Sequence, residues 1–359
     1  MSNEYRDAYY PGTEELGPNE MRVISLGTGM PNLRPSQVSP GWFVELGNGD
    51  KFFFDMGTGT ISRFAALGIP YDEANKVFLG HLHSDHCGDF AAWFIGGWVD
   101  GRQSTCHVWG PSGTSPDMGT KHFIDKQIES YKWDITSRMG HRPVEGKQIE
   151  VHEFDYSGLN EVIYDENGVV VRSWPAWHAI DGPVSFSLEW NGLKFVYGSD
   201  TGPNKWYIEY AQNADLIIHE CFITIDLLMK KFGFSRENAI NVGTKVHTSP
   251  EACGMVFKET KPRHAIAFHF FHDIEAAPAV QKALRSVYDG PLTLAKDLMV
   301  WNVTPDKITT RWVVFNPDTW PTEWDKAKPP SKLTWEPHTP ISQWILEGRV
   351  SWPGIDEYD

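Results

Sequence analysis

The sequence predicts an α/β fold, one layered catalytic domain with an appendage at each end. Three observations carry this. Apolar strand-like runs alternate with helix-like stretches along most of the chain, two turn signals mark hairpins, and residues able to do chemistry recur at the ends of the apolar runs. The length of 359 residues exceeds a usual domain, yet four-layer α/β enzymes reach it as one unit. We therefore divide the chain into an arm over 1–20, a catalytic domain over 21–316 and a Pro/Trp-rich arm over 317–359.

Residues 1–20 are polar and turn-rich, and Tyr9-Tyr10-Pro11 is expected to pack on the body or on a neighbour. Met21 to Leu26 reads as a strand. Gly27-Thr28-Gly29-Met30-Pro31 then makes a tight turn, and no Lys-Ser/Thr follows to make it a phosphate loop. Gly47-Asn48-Gly49-Asp50 joins two apolar runs as a hairpin, and Asp55 follows the second run. Val77-Phe78-Leu79 ends a strand, and Phe90 to Val99 reads as a helix. Cys106 to Pro111 is a strand and turn, and Lys121 to Trp133 an amphipathic helix. His107, His122, His141 and His152 read as surface or structural residues. The mixed segment from Asp134 to Gly158 is expected to form a wall or rim of the substrate pocket.

Val169 to Trp174 is the next strand, ending at Pro175-Ala176-Trp177-His178. Asn191-Gly192 is the strongest hairpin signal, joining Ser185–Trp190 to Leu193–Tyr197, which runs into Gly198-Ser199-Asp200. Ala214 to Glu220 and His264 to His269 are strands. Between them, His247-Thr248-Ser249-Pro250-Glu251 reads as a helix start.

Between the strand end at Leu79 and the helix at Phe90 lie His81, His83, Asp85 and His86, four potential ligands in one loop. Extended alternation points His81 and His83 to one side, and the following turn swings Asp85 and His86 to an adjacent position. That arrangement suits two metals close together. Imidazoles with a carboxylate are the set expected for zinc, and no thiolate is needed. Cys87 reads as structural, because neighbours at a helix start diverge.

His-x-His-x-Asp-His after an apolar strand resembles the signature of the metallo-β-lactamase fold superfamily. Within it the chain is similar to the ribonuclease Z-like branch, and to class B3-like zinc β-lactamases of that branch from Tyr9-Tyr10-Pro11-Gly12 through Ile345-Leu346-Glu347-Gly348-Arg349. The resemblance implies a four-layer αββα sandwich and two zinc ions per chain. One would be held by His81, His83 and His178, the other by Asp85, His86 and His269, with Asp200 bridging. A hydroxide shared by the ions would be the nucleophile, oriented by Asp85. Asp55 would orient the ligand loop without binding metal. His264 and His272 would be flanking or structural. Glu220 and His247 match the proton relay of ribonuclease Z enzymes, or form a buried pair that braces the site.

The activity so implied is first the opening of β-lactam rings, as in antibiotic resistance. The alternatives are ribonuclease Z-like phosphodiester cleavage at tRNA 3′ trailers, and hydrolysis of a small ester, lactone or halide. A non-enzymatic metal scaffold fits poorly with a complete ligand set. The formal charge of −15, from 47 acidic and 32 basic residues, opposes a polyanion at long range, so composition favours a small-molecule substrate over tRNA. Four scattered cysteines without Cys-x-x-Cys spacing read as reduced buried thiols and, with no basic-apolar leader, imply a cytoplasmic setting. No stretch is long and apolar enough for a membrane span. The tryptophans after Pro317 are expected to bury on the body or on a second subunit, giving a homo-oligomer.

Overall fold

The computed structural model describes residues 6–319 and 334–350. Its strands, in chain order, are β1 (Ala8–Tyr9), β2 (Met21–Gly27), β3 (Gly41–Leu46), β4 (Lys51–Met56), β5 (Lys76–Phe78), β6 (Cys106–Pro111), β7 (Ile149–Phe154), β8 (Glu161–Glu166), β9 (Val169–Pro175), β10 (Val184–Trp190), β11 (Leu193–Tyr197), β12 (Leu216–Glu220), β13 (His264–Phe268), β14 (Leu292–Leu294), β15 (Met299–Val303) and β16 (Ile308–Val313). They form a nine-stranded sheet in the order β1-β16-β15-β2-β3-β4-β5-β6-β7 and a seven-stranded sheet in the order β14-β13-β12-β11-β10-β9-β8.

Alternation along each strand sends successive side chains to opposite faces, and both faces are apolar. Met21, Val23, Trp42, Val44, Phe52 and Phe54 face the second sheet, where they meet Val171, Phe186, Leu188, Phe195, Ile218 and Phe268 in one buried cluster. Ile24, Phe43 and Phe53 point the other way, onto helices Thr60–Ala65 and Phe90–Val99. Val196, Ile217 and Ala265 do the same for the second sheet, against helices Lys205–Tyr210, Pro250–Thr260 and Ala276–Arg285. The result is four layers, αββα, with the inter-sheet core at the centre.

β4 to β7 run parallel in the first sheet, and β11 to β14 run parallel in the second. Their carboxyl ends open toward the same side, which is where an open α/β sheet offers a crevice. Asp55 and Glu220 lie in the last residues of such strands, and the His81–His86 loop, Asp200 and His269 follow just after them.

Several expectations change in detail. Tyr9 is buried and adds a short parallel strand beside β16. The helix expected over Lys121–Trp133 is two helices, Thr120–Ser130 and Lys132–Ser137, broken at Tyr131. Asp134–Gly158 supplies β7 and lines neither of the clefts at the ligand cluster, so its expected place in the pocket wall is corrected. Trp335 and Trp344 stay exposed at 55% and 78%, whereas Trp320, Trp324 and Trp352 lie outside the described residues. The segment from Thr334 rests on residues 136–147 through Val144 N–H to the Thr334 carbonyl at 2.8 Å and the Lys147–Glu336 ion pair. Among the described residues, no helix is long and apolar enough to cross a membrane.

Candidate metal centre

β5 ends at Phe78, and the chain runs extended through His83 before turning into the short helix Ser84–Cys87. This places His81 and His83 side by side and lifts Asp85 and His86 onto the next turn. Gly57 permits the approach of that turn, since a Cβ there would lie 2.0 Å from the Asp85 carbonyl. His178 arrives from the loop after β9, Asp200 from the turn after β11, and His269 from the end of β13.

The seven side chains converge on two adjoining points. His81 Nε2 lies 3.0 Å from His83 Nδ1, which lies 3.1 Å from His178 Nε2. His269 Nε2 is 3.3 Å from Asp85 Oδ2 and 3.2 Å from Asp200 Oδ2. His86 Nε2 is 3.6 Å from Asp85 Oδ2 and 3.3 Å from Asp200 Oδ1. Asp200 therefore presents an oxygen to both histidines of its group, and its Oδ2 is also 3.8 Å from His178 Nε2. His86 Nε2 and Asp200 Oδ1 are buried and have no hydrogen-bond partner among the described residues. Buried atoms of this kind call for a partner, and a cation held by N and O donors meets the need. Three groups of four, His81-His83-His178-Asp200, Asp85-His86-Asp200-His269 and Asp200-Glu220-His247-His269, each bring their donor atoms within 4.8 Å of one another. For a tetrahedral zinc with Zn–N of about 2.0–2.1 Å, ligand atoms stand roughly 3.3 Å apart, so the spacings fit.

The second ring nitrogens fix which face of each histidine is free. His81 Nδ1 contacts Ser199 Oγ at 3.2 Å, His86 Nδ1 donates to Asp55 Oδ2 at 2.6 Å, and His178 Nδ1 donates to the Val246 carbonyl at 2.8 Å. Asp55 also accepts from Gly80 N–H at 2.7 Å, Tyr197 Oη at 2.6 Å and Ser199 Oγ at 2.7 Å. It binds the ligand loop and the turn after β11, and one of its oxygens lies within 4.8 Å of donor nitrogens of His81 and His86. Asp55, Ser199 and His269 all have positive φ, at 56°, 52° and 71°. Non-glycine residues held there cost about 1–3 kcal/mol each, which the surrounding hydrogen bonds offset.

Burial pushes His81 well below the usual histidine range, lowers His83, and takes His178 to about 4. Each is thereby biased toward the neutral imidazole, the form that offers a lone pair. Burial alone would also lower His86, but the carboxylates of Asp200, Asp55 and Asp85 outweigh it and hold it well above that range. For Asp200, burial is outweighed by His269 and His86, which keep its carboxyl well below the carboxylate range. The second point is thus a place where anionic oxygens favour a cation.

Beside it, His247 Nδ1 lies 2.7 Å from Glu220 Oε2 and 3.9 Å from Asp200 Oδ2. Burial, reinforced by Asp200, raises Glu220 well above the carboxylate range. Burial lowers His247. The Phe222 ring stacks on His247, with centroids 4.3 Å apart and planes 13° apart. These two residues line a cleft of about 370 Å³ over His83, Asp85, His178, Asp200 and His269. Its walls come from helix Ile225–Phe232 and the π-helical turn Val242–Val246.

All nine residues singled out from the sequence are brought together here, as is Asp55. Ser199, Tyr197, Phe222 and the Val246 carbonyl were not anticipated. Gly198-Ser199-Asp200 placed a hydroxyl next to a candidate ligand, which was the one available signal for Ser199. His107 and His152 form a separate pair with Glu150, and Cys87 is buried with its thiol pushed up to about 12, chiefly by burial. His264 bonds Thr293 Oγ1 at 2.8 Å and His272 N–H donates to Gln37 Oε1 at 3.1 Å, away from the cluster.

The beta-lactamase superfamily domain matches residues 50–270, a span that holds every residue of the cluster. Ribonuclease Z of Mycobacterium marinum is 30% identical over 205 residues, covering 55% of this chain and 70% of that protein. Ribonuclease Z of Mycobacterium bovis BCG is 29% identical over 205 residues, covering 55% and 69%. Among solved structures, the metallo-beta-lactamase fold protein YhfI from Bacillus subtilis superposes with a TM-score of 0.60 at 17% identity, covering 79% of this chain and all of its own. Human tRNase Z, short form, superposes with a TM-score of 0.56 at 21% identity, covering 78% and 98%. At these identities the structures share the fold.

Proposed function

The chain belongs to the beta-lactamase superfamily, in its ribonuclease Z-like branch, and from that premise we propose that this hydrolase is a dinuclear zinc phosphodiesterase cleaving RNA 3′ trailers, those of tRNA precursors first. The Glu220–His247 pair carries the reading. It sets a buried, hydrogen-bonded proton donor at the edge of the ligand cluster, where a departing sugar oxygen would need one.

His81, His83 and His178 would hold one zinc, and Asp85, His86 and His269 the other, with the Asp200 carboxylate within reach of both donor groups. Bound divalent metals lower the pKa of coordinated water to about 7 and polarise a phosphoryl oxygen. The protein does the rest. Asp85 accepts a proton from the attacking water and aims its lone pair at phosphorus. As the water oxygen bonds to phosphorus and the P–O bond to the sugar breaks, His247 gives the leaving oxygen a proton from its outer ring nitrogen and takes one at Nδ1 from Glu220, whose buried carboxyl is held well above the carboxylate range and 2.7 Å away. General acid catalysis of this kind is worth about 10²–10⁴-fold. Phe222, stacked on His247, keeps the ring from turning away.

The order expected from the sequence is thereby reversed. Ring opening of β-lactams takes second place, supported by the apolar walls of the cleft, Phe222, Leu228, Phe232 and Phe234. Exposed Trp335 and Trp344 support a homo-oligomer, and sedimentation would read its mass. Side-by-side kinetics of the zinc-loaded protein on a precursor tRNA with a 3′ trailer and on a chromogenic cephalosporin test the main reading. We expect kcat/KM for the trailer to exceed that for the cephalosporin by about 100-fold or more. The opposite order would restore the lactam reading.

A further inference from the structure

A second cleft, of about 190 Å³, shares His83 and His178 with the first. His81, His83 and His178 form its floor, and Leu82, Pro111, Met118, Ile180 and Pro183 are among its walls. The wall residues come from three separate places: the ligand loop, the end of β6 with the turn Pro116–Met118, and the loop after β9. That last loop is tied at several points. Ala176 N–H donates to the Pro183 carbonyl at 2.9 Å, Val184 N–H to the Gly80 carbonyl at 2.9 Å, and Gly202 N–H to the Trp177 carbonyl at 2.7 Å. Ala179 sits at φ 49°, a strained turn beyond His178 that leaves Ile180 61% exposed, facing Met118 at 48% across the cleft.

Exposed apolar side chains over a preformed floor of metal-ligating histidines are binding chemistry, because the hydrophobic gain is realised only when something covers them. Whatever covers them is continuous with the reacting group. Among the described residues, no lysine or arginine lines either cleft. What the walls of the second cleft offer is aliphatic surface, Leu82, Pro111, Met118, Ile180 and Pro183, against which the flat face of a ring can lie, and every nucleobase presents such a face.

We propose that the cleft between Leu82, Met118, Ile180 and Pro183 is a subsite for a flat apolar group, a nucleobase in the natural substrate, joined to the scissile phosphate on its His83–His178 side. The subsite deepens the phosphodiesterase reading and rests on it for the identity of the natural group. Its recognition chemistry is separable from turnover.

Isothermal titration of the zinc-loaded full chain with phenylphosphonate and with methylphosphonate isolates the ring's contribution, because both carry the same metal-binding head. We expect the phenyl compound to bind about tenfold tighter, in keeping with burial of one aromatic face. The Met118→Ser, Ile180→Ser double variant, altered at exposed positions, should cut that preference to less than about threefold while methylphosphonate binds as before. Phe234→Ser, in the larger cleft, should leave the preference intact. The subsite is overturned if the wild-type protein shows no preference, if the double variant keeps it, or if Phe234→Ser alone removes it. Hydrolysis of bis(p-nitrophenyl) phosphate, measured in parallel, reports on the phosphodiesterase reading, so its absence with an intact phenyl preference would sink that reading and spare the subsite.

Discussion

Two histidine groups in this protein use the same donor types and behave differently. In His81–His83 the nitrogens are 3.0 Å apart and the ring centroids 4.7 Å; in His83–His178 they are 3.1 and 5.0 Å. In His107–His152, on β6 and β7, the nitrogens are 3.2 Å apart and the centroids 5.5 Å. That last separation is what two rings give when a nitrogen of one points head-on at a nitrogen of the other, as in a single hydrogen bond. The shorter centroid distances mean rings tilted toward a shared third point. Glu150 completes the outer group only loosely, at 3.6 and 4.0 Å. It is largely exposed, and the nearby Lys76 charge adds to the burial that lowers His107. Convergence, and not residue type or burial, sets the candidate metal centre apart, since His83 is itself exposed while His107 and His152 are partly buried.

The contrast can be broken from either side. The largest effect belongs to the converging group: His83→Ala or Asp200→Ala should lower kcat/KM by at least about 10³-fold, whereas His107→Ala or His152→Ala should stay within about twofold. Chelation should silence the wild type, and added zinc should restore it. Next comes the relay. Glu220→Gln should slow a diester with an alkoxide leaving group by about 100-fold and one with a p-nitrophenolate leaving group much less, since the latter needs no proton. Equal losses on both would mean that the pair only braces the site.

Asp55 gives a smaller but sharper test. Asp55→Ala strands Gly80 N–H, Tyr197 Oη, Ser199 Oγ and His86 Nδ1 in the core, which should cost at least about 3 kcal/mol, read from the urea midpoint. Glu150→Ala, at the outer group, should change stability by no more than about 0.5 kcal/mol. The smallest signal is chemical. All four cysteines are buried and unpaired, and burial takes Cys106 to about 12. Ellman's reagent at pH 8 should therefore find no fast thiol in the folded protein and four after unfolding.

Much of this site was legible because its densest part is local. His81, His83, Asp85 and His86 fall within six residues, where strand alternation and one helical turn decide where side chains point. His178, Asp200 and His269 were legible only as strand-end residues, made into ligands by resemblance, since spacing does not say which strand ends meet. What holds the ligands was beyond reach for the same reason. Tyr197 and Ser199 reach Asp55 across 142 and 144 residues, and the Val246 carbonyl that orients His178 comes from a π-helical turn with no sequence mark. The pocket walls were misassigned to Asp134–Gly158 because mixed composition is common to any exposed segment. It does not reveal at which end of a sheet the segment emerges.

The most direct test of convergence as the criterion is the metal content of the full chain after zinc equilibration and gel filtration, by elemental mass spectrometry. The account predicts two ions per chain in the wild type, the same two in the His107→Ala, His152→Ala double variant, and fewer in His83→Ala. A third ion that disappears with the double variant, or two retained by His83→Ala, would contradict it.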